Sequence, residues 1–154
     1  MKRSFERNGP RFVRRRSSIH GYGIFARRLI PAHIRLIEYK GALISTAQAE
    51  GRYPEVGIPP HTFLFDADED LYIDAGVNGN SARWINHSCD PNCETAQEGR
   101  RIFIETMRVI RPGEEISYDY RITLDGPHDA QAKKKWMCCC GAKNCRGTML
   151  AAKR

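Results

Sequence analysis

The stretch Arg83-Trp84-Ile85-Asn86-His87-Ser88-Cys89-Asp90-Pro91-Asn92-Cys93 limits what this chain can fold into more than any other. It sets an amide, an imidazole, two thiols and a turn-forming Asp-Pro among apolar residues. Asn86 and His87 offer directional donors and acceptors. Cys89 offers a soft metal ligand. Asp90-Pro91 predicts a turn immediately afterwards. Few purely structural needs call for that mixture. A fold built around the stretch must bring other functional groups to it.

The chain has 154 residues, enough for one domain with a real core. Its apolar fraction of 41% lies far above that of disordered chains. No apolar run approaches the roughly 20 residues that span a membrane. The basic N-terminus has no apolar stretch behind it, unlike a secretory signal. A soluble, intracellular protein is expected. Six cysteines fall in two places, 89/93 and 138/139/140/145. Three are consecutive and poorly placed to pair with one another, so a reducing compartment and a metal fit better than a disulfide framework. The net charge of +7 is uneven. Residues 1–16 hold seven Lys/Arg and one acid, and residues 133–154 hold seven more and no acid. Residues 66–74 hold five acids. Basic ends fit nucleic acid or an acidic partner, or simply two solvated tails. The acidic strip fits a basic peptide or a solvated turn.

Residues 1–11 read as a basic flexible arm. Ser18-Ile19-His20-Gly21-Tyr22-Gly23-Ile24-Phe25-Ala26 follows a short strand at Phe12-Val13. Its Gly-x-Gly lets backbone approach a ligand closely, but it lacks the third glycine of a dinucleotide fingerprint. Pro31–Ile44 is β-patterned and broken at Gly41. Ser45-Thr46-Ala47-Gln48 has capping-box spacing and predicts a short helix. Gly51–Pro60 is a loop. Thr62–Phe65 and Leu71–Asp74 predict a hairpin around the acidic turn. A helical turn over Ala82–Ile85 leads into the central stretch. Arg101–Met107 and Ile116–Tyr120 are strands, the second preceded by a Pro112-Gly113 turn. Leu124–Lys135 reads as a polar linker into the cysteine-rich tail. Short strands and frequent turns predict a mainly β domain.

Four separated segments resemble, in order and spacing, those of SET-domain protein-lysine methyltransferases. They are Gly21-Tyr22-Gly23, the Asn86–Asn92 stretch, Gly113-Glu114-Glu115-Ile116-Ser117-Tyr118-Asp119-Tyr120, and Cys138-x-Cys140-x4-Cys145, which is similar to the post-SET element. Ile37-Glu38-Tyr39-x-Gly41 adds a fifth, weaker likeness. The likeness implies a SET domain over residues 12–122, a linker over 123–135 and a post-SET zinc element over 136–150. It implies small curved sheets around a pseudoknot, in which the segment ending at Tyr120 passes beneath a loop near Asn86. Periodicity could not supply that threading, which runs against the usual avoidance of threaded loops.

The resemblance also implies roles. S-adenosylmethionine would meet Tyr22, Gly23, Arg83, Asn86 and His87. Tyr120 would be the catalytic tyrosine, and Tyr118 the aromatic that sets how many methyls are added, here one or two. Cys89, Cys138, Cys140 and Cys145 would hold structural Zn2+; an iron–sulfur cluster has the same ligand count. Cys93 and Cys139 are spare. Trp84 reads as core, and His87 as general base is a competing idea. Many family members carry tyrosine where this chain has Phe63, so Tyr39 or Tyr72 compensates or the pocket is roomier. The expected substrate is a histone-like basic protein or peptide, with Lys133-Lys134-Lys135 near enough to raise self-methylation. The expected location is cytoplasm or nucleoid in a bacterium, or nucleus and chromatin otherwise. Two rival readings remain: a zinc-stabilised nucleic-acid-binding module, and a SET-like fold without turnover.

Overall fold

The computed structural model describes residues 11–53, 63–124 and 126–152. The expected basic arm and most of the Gly51–Pro60 loop therefore lie outside the described residues. The described chain is mainly β. In order it forms β1 (Phe12–Arg16), β2 (Tyr22–Ala26), β3 (Arg35–Tyr39), β4 (Ala42–Ser45) and helix α1 (Thr46–Arg52). Next come β5 (Leu64–Asp68), β6 (Leu71–Asp74), a 3-10 helix (Ser81–Trp84) and β7 (Asn86–His87). Then follow β8 (Cys93–Glu98), β9 (Arg101–Thr106), β10 (Glu115–Tyr118) and helix α2 (Ala130–Lys135). None of the helices is long and apolar enough to cross a membrane.

Two sheets result. One runs β1-β2-β10-β8-β9-β3, with β7 also paired to β10; the other runs β4-β6-β5. The β5–β6 hairpin forms around the acidic turn as the sequence predicts, pairing Leu64 with Asp74 and Asp68 with Leu71. Ile24, Ile102, Ile104 and Ile116 are buried almost completely beneath the larger sheet. Each contributes about 1.5–3 kcal/mol by burial. A one-residue slip would turn that set outward, so the core fixes the register.

The threading is explicit in the pairing. β10 runs parallel to β7, with Ser117 opposite Asn86 and Tyr118 opposite His87. It is also parallel to β8, with Tyr118 opposite Cys93. The strand is thus held between two segments joined by the Ser88–Asn92 loop. Asn92 locks it by donating to the Glu115 carbonyl at 2.8 Å and accepting from the Ser117 amide at 3.0 Å.

Local signals explain the element ends. Ser45 and Gln48 form the expected capping box at α1. Asn80 caps the 3-10 helix, so the helical turn begins at Ser81 and ends at Trp84, one residue earlier than predicted. β10 ends at Tyr118, short of the predicted Tyr120, because the Tyr120 amide donates to the His87 ring at 3.0 Å and not to a neighbouring strand. The stretch read as a polar linker carries α2, capped by Asp129, whose side chain accepts from the Ala132 amide at 2.8 Å.

Candidate active site

The Gly-x-Gly turn is drawn onto the central stretch by one amide. Asn86 Nδ2 donates to the carbonyls of His20 at 3.1 Å and Tyr22 at 3.0 Å, and to Glu115 Oε1 at 2.8 Å. The Ser17 hydroxyl donates to the same carboxylate at 2.8 Å. Gly21 sits at φ +44°, in the left-handed region that favours glycine. Gly23 lies over this network: a Cβ there would sit 2.0 Å from Glu115 Oε1. Glycine is required because the carboxylate occupies that space.

These residues border a cavity of about 1230 Å³ whose wall includes Tyr22, Arg83, Asn86, His87, Tyr118 and Tyr120. Of the predicted cofactor-binding and catalytic residues, only Gly23 is off the wall. Trp84, read from sequence as core, is half-buried: it packs against the core and also lines the cavity. Its ring meets Tyr22 and Phe63 edge-on, at 5.8 and 5.5 Å between centroids. The Arg14 and Arg83 guanidinium groups lie 5.2 and 4.9 Å from its centroid. Arg83 has a single long bond, to the Ala75 carbonyl at 3.4 Å, and no ion pair among the described residues. Its charge is available to an anionic ligand group. Phe63 faces Trp84, and the Tyr39 hydroxyl donates to the Phe63 carbonyl at 2.7 Å. Tyr39 therefore brings a phenol next to Phe63.

Tyr118 and Tyr120 stack 4.9 Å apart, with Phe65 and Tyr39 continuing the aromatic wall. The Tyr120 hydroxyl donates to the Ile85 carbonyl. Burial pushes the Tyr118 and Tyr120 phenols well above their ordinary range, with the Glu115 charge adding to the rise at Tyr120. Both remain neutral at physiological pH.

His87 is buried, and burial pushes it down to about 4 against the opposing pull of Asp119. Nδ1 accepts from the Tyr120 amide, and Nε2 lies 3.4 Å from Cys89 Sγ. The neutral ring thus carries its proton on Nε2, directed at sulfur. With both nitrogens engaged, the geometry makes His87 a link and leaves no free base.

The sulfurs of Cys89, Cys138, Cys140 and Cys145 all lie within 4.8 Å of one another. Cys89 is 3.8 Å from Cys138 and 3.9 Å from Cys145. Four thiolates at about 2.3 Å from a tetrahedral zinc would be separated by about 3.8 Å. Backbone amides of Cys140, Arg146 and Gly147 donate to Cys138, Cys89 and Cys145, each at 3.4 Å. Such donors stabilise metal-bound thiolates. The residues fit a structural zinc. Cys139 is exposed on the cavity side, and Cys93 is fully buried, its thiol pushed up to about 12 by burial.

Sequence reasoning missed two groups. Glu115 anchors Asn86 and Ser17; its signal is the second glutamate of Gly113-Glu114-Glu115. Asp119 forms a bidentate pair with Arg146 at 2.8 and 3.0 Å, tying the segment between the two tyrosines to the cysteine-rich tail. No local pattern marks that pair.

Comparison with known proteins covers three of the four segments with a family model. The family model described as the SET domain covers residues 21–121. Relatives include the histone-lysine N-methyltransferase trr of Drosophila melanogaster, 40% identical over 87% of this chain, and set-2 of Caenorhabditis elegans, 41% identical over 86%. SETD1B of Homo sapiens, also called a histone-lysine N-methyltransferase, is 40% identical over 87%. The chain belongs to the SET-domain family. It spans only 6%, 9% and 7% of the lengths of those three relatives.

Proposed function

We propose that this chain is an S-adenosylmethionine-dependent protein-lysine N-methyltransferase acting on a histone-like basic protein, with zinc closing its tail over the site. The observation that carries the reading is convergence: the Tyr118/Tyr120 pair, the Asn86–His87 segment and the four-sulfur cluster meet around one cavity. The names of the relatives, all histone-lysine N-methyltransferases, agree with it.

When bound, S-adenosylmethionine supplies a methyl group on a positively charged sulfur. Arg83, Tyr22 and Trp84 form the wall suited to hold it, Arg83 through the cofactor's carboxylate. The chain must also align a lysine nitrogen within about 3–3.5 Å of the methyl carbon and exclude water. Free lysine, with a pKa near 10.4, is roughly 0.1% neutral near pH 7.4. The aromatic wall of Tyr39, Phe65 and Tyr118 disfavours the ammonium by desolvation. Because the Tyr120 hydroxyl donates its hydrogen to the Ile85 carbonyl, the phenol oxygen retains lone pairs that accept from the amine N–H. That contact aims the nitrogen lone pair. The His87 ring holds Tyr120 by its backbone amide, and water removes the lysine proton.

A groove lined by Asp66, Asp68 and Asp119 adjoins the cavity at Phe65, Tyr120 and Arg121. Burial and the neighbouring Asp68 raise the Asp66 carboxyl, a disfavoured charge that a cationic residue of a substrate would relieve. This favours a basic peptide, and a histone-like substrate agrees with a chromatin or nucleoid location. Of the basic ends proposed for nucleic acid, residues 1–10 and 153–154 lie outside the described residues, and Arg14 of β1 faces the aromatic wall. The test is methyl transfer to histones, with Tyr120→Phe in parallel. Loss of one orienting group of this kind costs about 100-fold or more in rate. Full activity in Tyr120→Phe, or no transfer to any basic protein, overturns the reading.

A further inference from the structure

The methylation reading leaves unexplained two lysines at the cavity itself. Lys134 and Lys135 line it, together with Trp136 and Met137, while Lys133, next in the same basic run, does not. Their position is fixed and not that of a loose tail. Asp129 caps α2 at its start. Trp136 follows directly and is buried; its carbonyl accepts from the Met149 amide at 2.8 Å and the Thr148 hydroxyl at 3.0 Å. α2 is therefore pinned to the cysteine-rich tail, and the two lysines are delivered to a wall shared with Tyr118 and Tyr120. Neither has an ion-pair partner among the described residues. Glu50 and Asp66 border the same cavity, as do Arg83 and Arg121, so an ammonium entering it meets acidic groups on part of a wall of mixed charge.

We propose that Lys134 and Lys135 are a modification site, methylated in cis by the site they border. The inference rests on the methyltransferase reading. In the step, the neutral Nζ lone pair attacks the cofactor's methyl carbon. A new N–C bond forms, the S–C bond breaks, and its electron pair neutralises the sulfonium to a thioether. The ammonium proton has already gone to water. A lysine stem is long and flexible, and a tethered group acts at an effective concentration of order millimolar. At micromolar protein, transfer within one chain outruns transfer between chains by about a thousandfold.

The experiment incubates the purified, zinc-loaded chain alone with S-adenosylmethionine and maps methyl groups by mass spectrometry. Wild type, Tyr120→Phe and a parallel histone reaction are run together. The expected result is methylation of Lys134 or Lys135, with Lys133 unmodified. The fraction modified against time should not change with protein concentration, and Tyr120→Phe should lose the label. Histones methylated while both lysines stay bare would overturn self-methylation and leave the enzyme reading standing. Equal labelling of Lys133, or a specific rate rising with protein concentration, overturns it too. No transfer to histones or chain overturns the parent reading itself.

Discussion

Asn86→Ala tests how the site is assembled. Its amide has two N–H hydrogens shared among the His20 and Tyr22 carbonyls and Glu115 Oε1. Asn86 is buried, so water replaces those bonds poorly. A neutral bond contributes about 1 kcal/mol and one to a carboxylate about 1.5–3, giving a loss of about 2.5–4 kcal/mol. For a chain of this size that lowers Tm by about 5–15 °C. The assay is urea and thermal unfolding followed by circular dichroism at constant zinc. Ser17→Ala is the companion, since Ser17 donates to the same carboxylate. It should cost about 1.5 kcal/mol, the low end for a bond to a carboxylate because Ser17 is only half-buried, and the double substitution should cost less than the sum, because both act through Glu115. A Tm for Asn86→Ala indistinguishable from wild type, or strict additivity, would refute the idea that this carboxylate organises the Gly21–Gly23 turn.

Three further expectations follow from the site. Elemental analysis should find zinc bound at unit stoichiometry; a chelator should abolish methyl transfer and zinc should restore it, whereas Cys145→Ser should not be rescued. Tyr118→Phe should shift the product toward more highly methylated lysine, read by mass spectrometry of a histone peptide; an unchanged distribution counts against the assignment. Burial raises Tyr39 and Tyr118 above their ordinary value of 10.0, so above about pH 10 the unfolded chain has released phenol protons that the folded chain keeps. Stability should be intact below that pH and fall as pH rises beyond it. Urea midpoints at about pH 9 and 11 should show this, with a smaller drop for Tyr118→Phe.

The sequence carried a good deal of this, and for identifiable reasons. Short apolar runs and turn signals mark β5–β6 and β9, and Ser45–Gln48 marks α1, because these are local effects. Cys89 and the tail cysteines could be grouped because thiols in a reducing setting have few other uses. The parallel pairing of β10 with β7 is long-range and has no local signature; it came only through the family likeness. α2 was overlooked because three lysines made a polar stretch look like a linker, although Asp129 before Ala-Gln-Ala is a recognisable start. Trp84 was placed in the core because a large ring usually goes there; here Arg14 and Arg83 flank it and keep one side at the cavity. The Asp119–Arg146 bracket joins residues whose types are ordinary, and only the coordinates bring them together.

The encircled strand has a consequence for how the molecule is held closed. The loop that surrounds β10 includes Cys89, so a metal gripping that sulfur together with the tail fastens the ring after the strand is inside. Withdrawing β10 then requires the clasp to open first. With zinc bound, the lifetime of the native state would be set by the escape of the ion as well as by the depth of the free-energy well. A protein of modest equilibrium stability can, on this plan, endure for long periods once its buckle is shut.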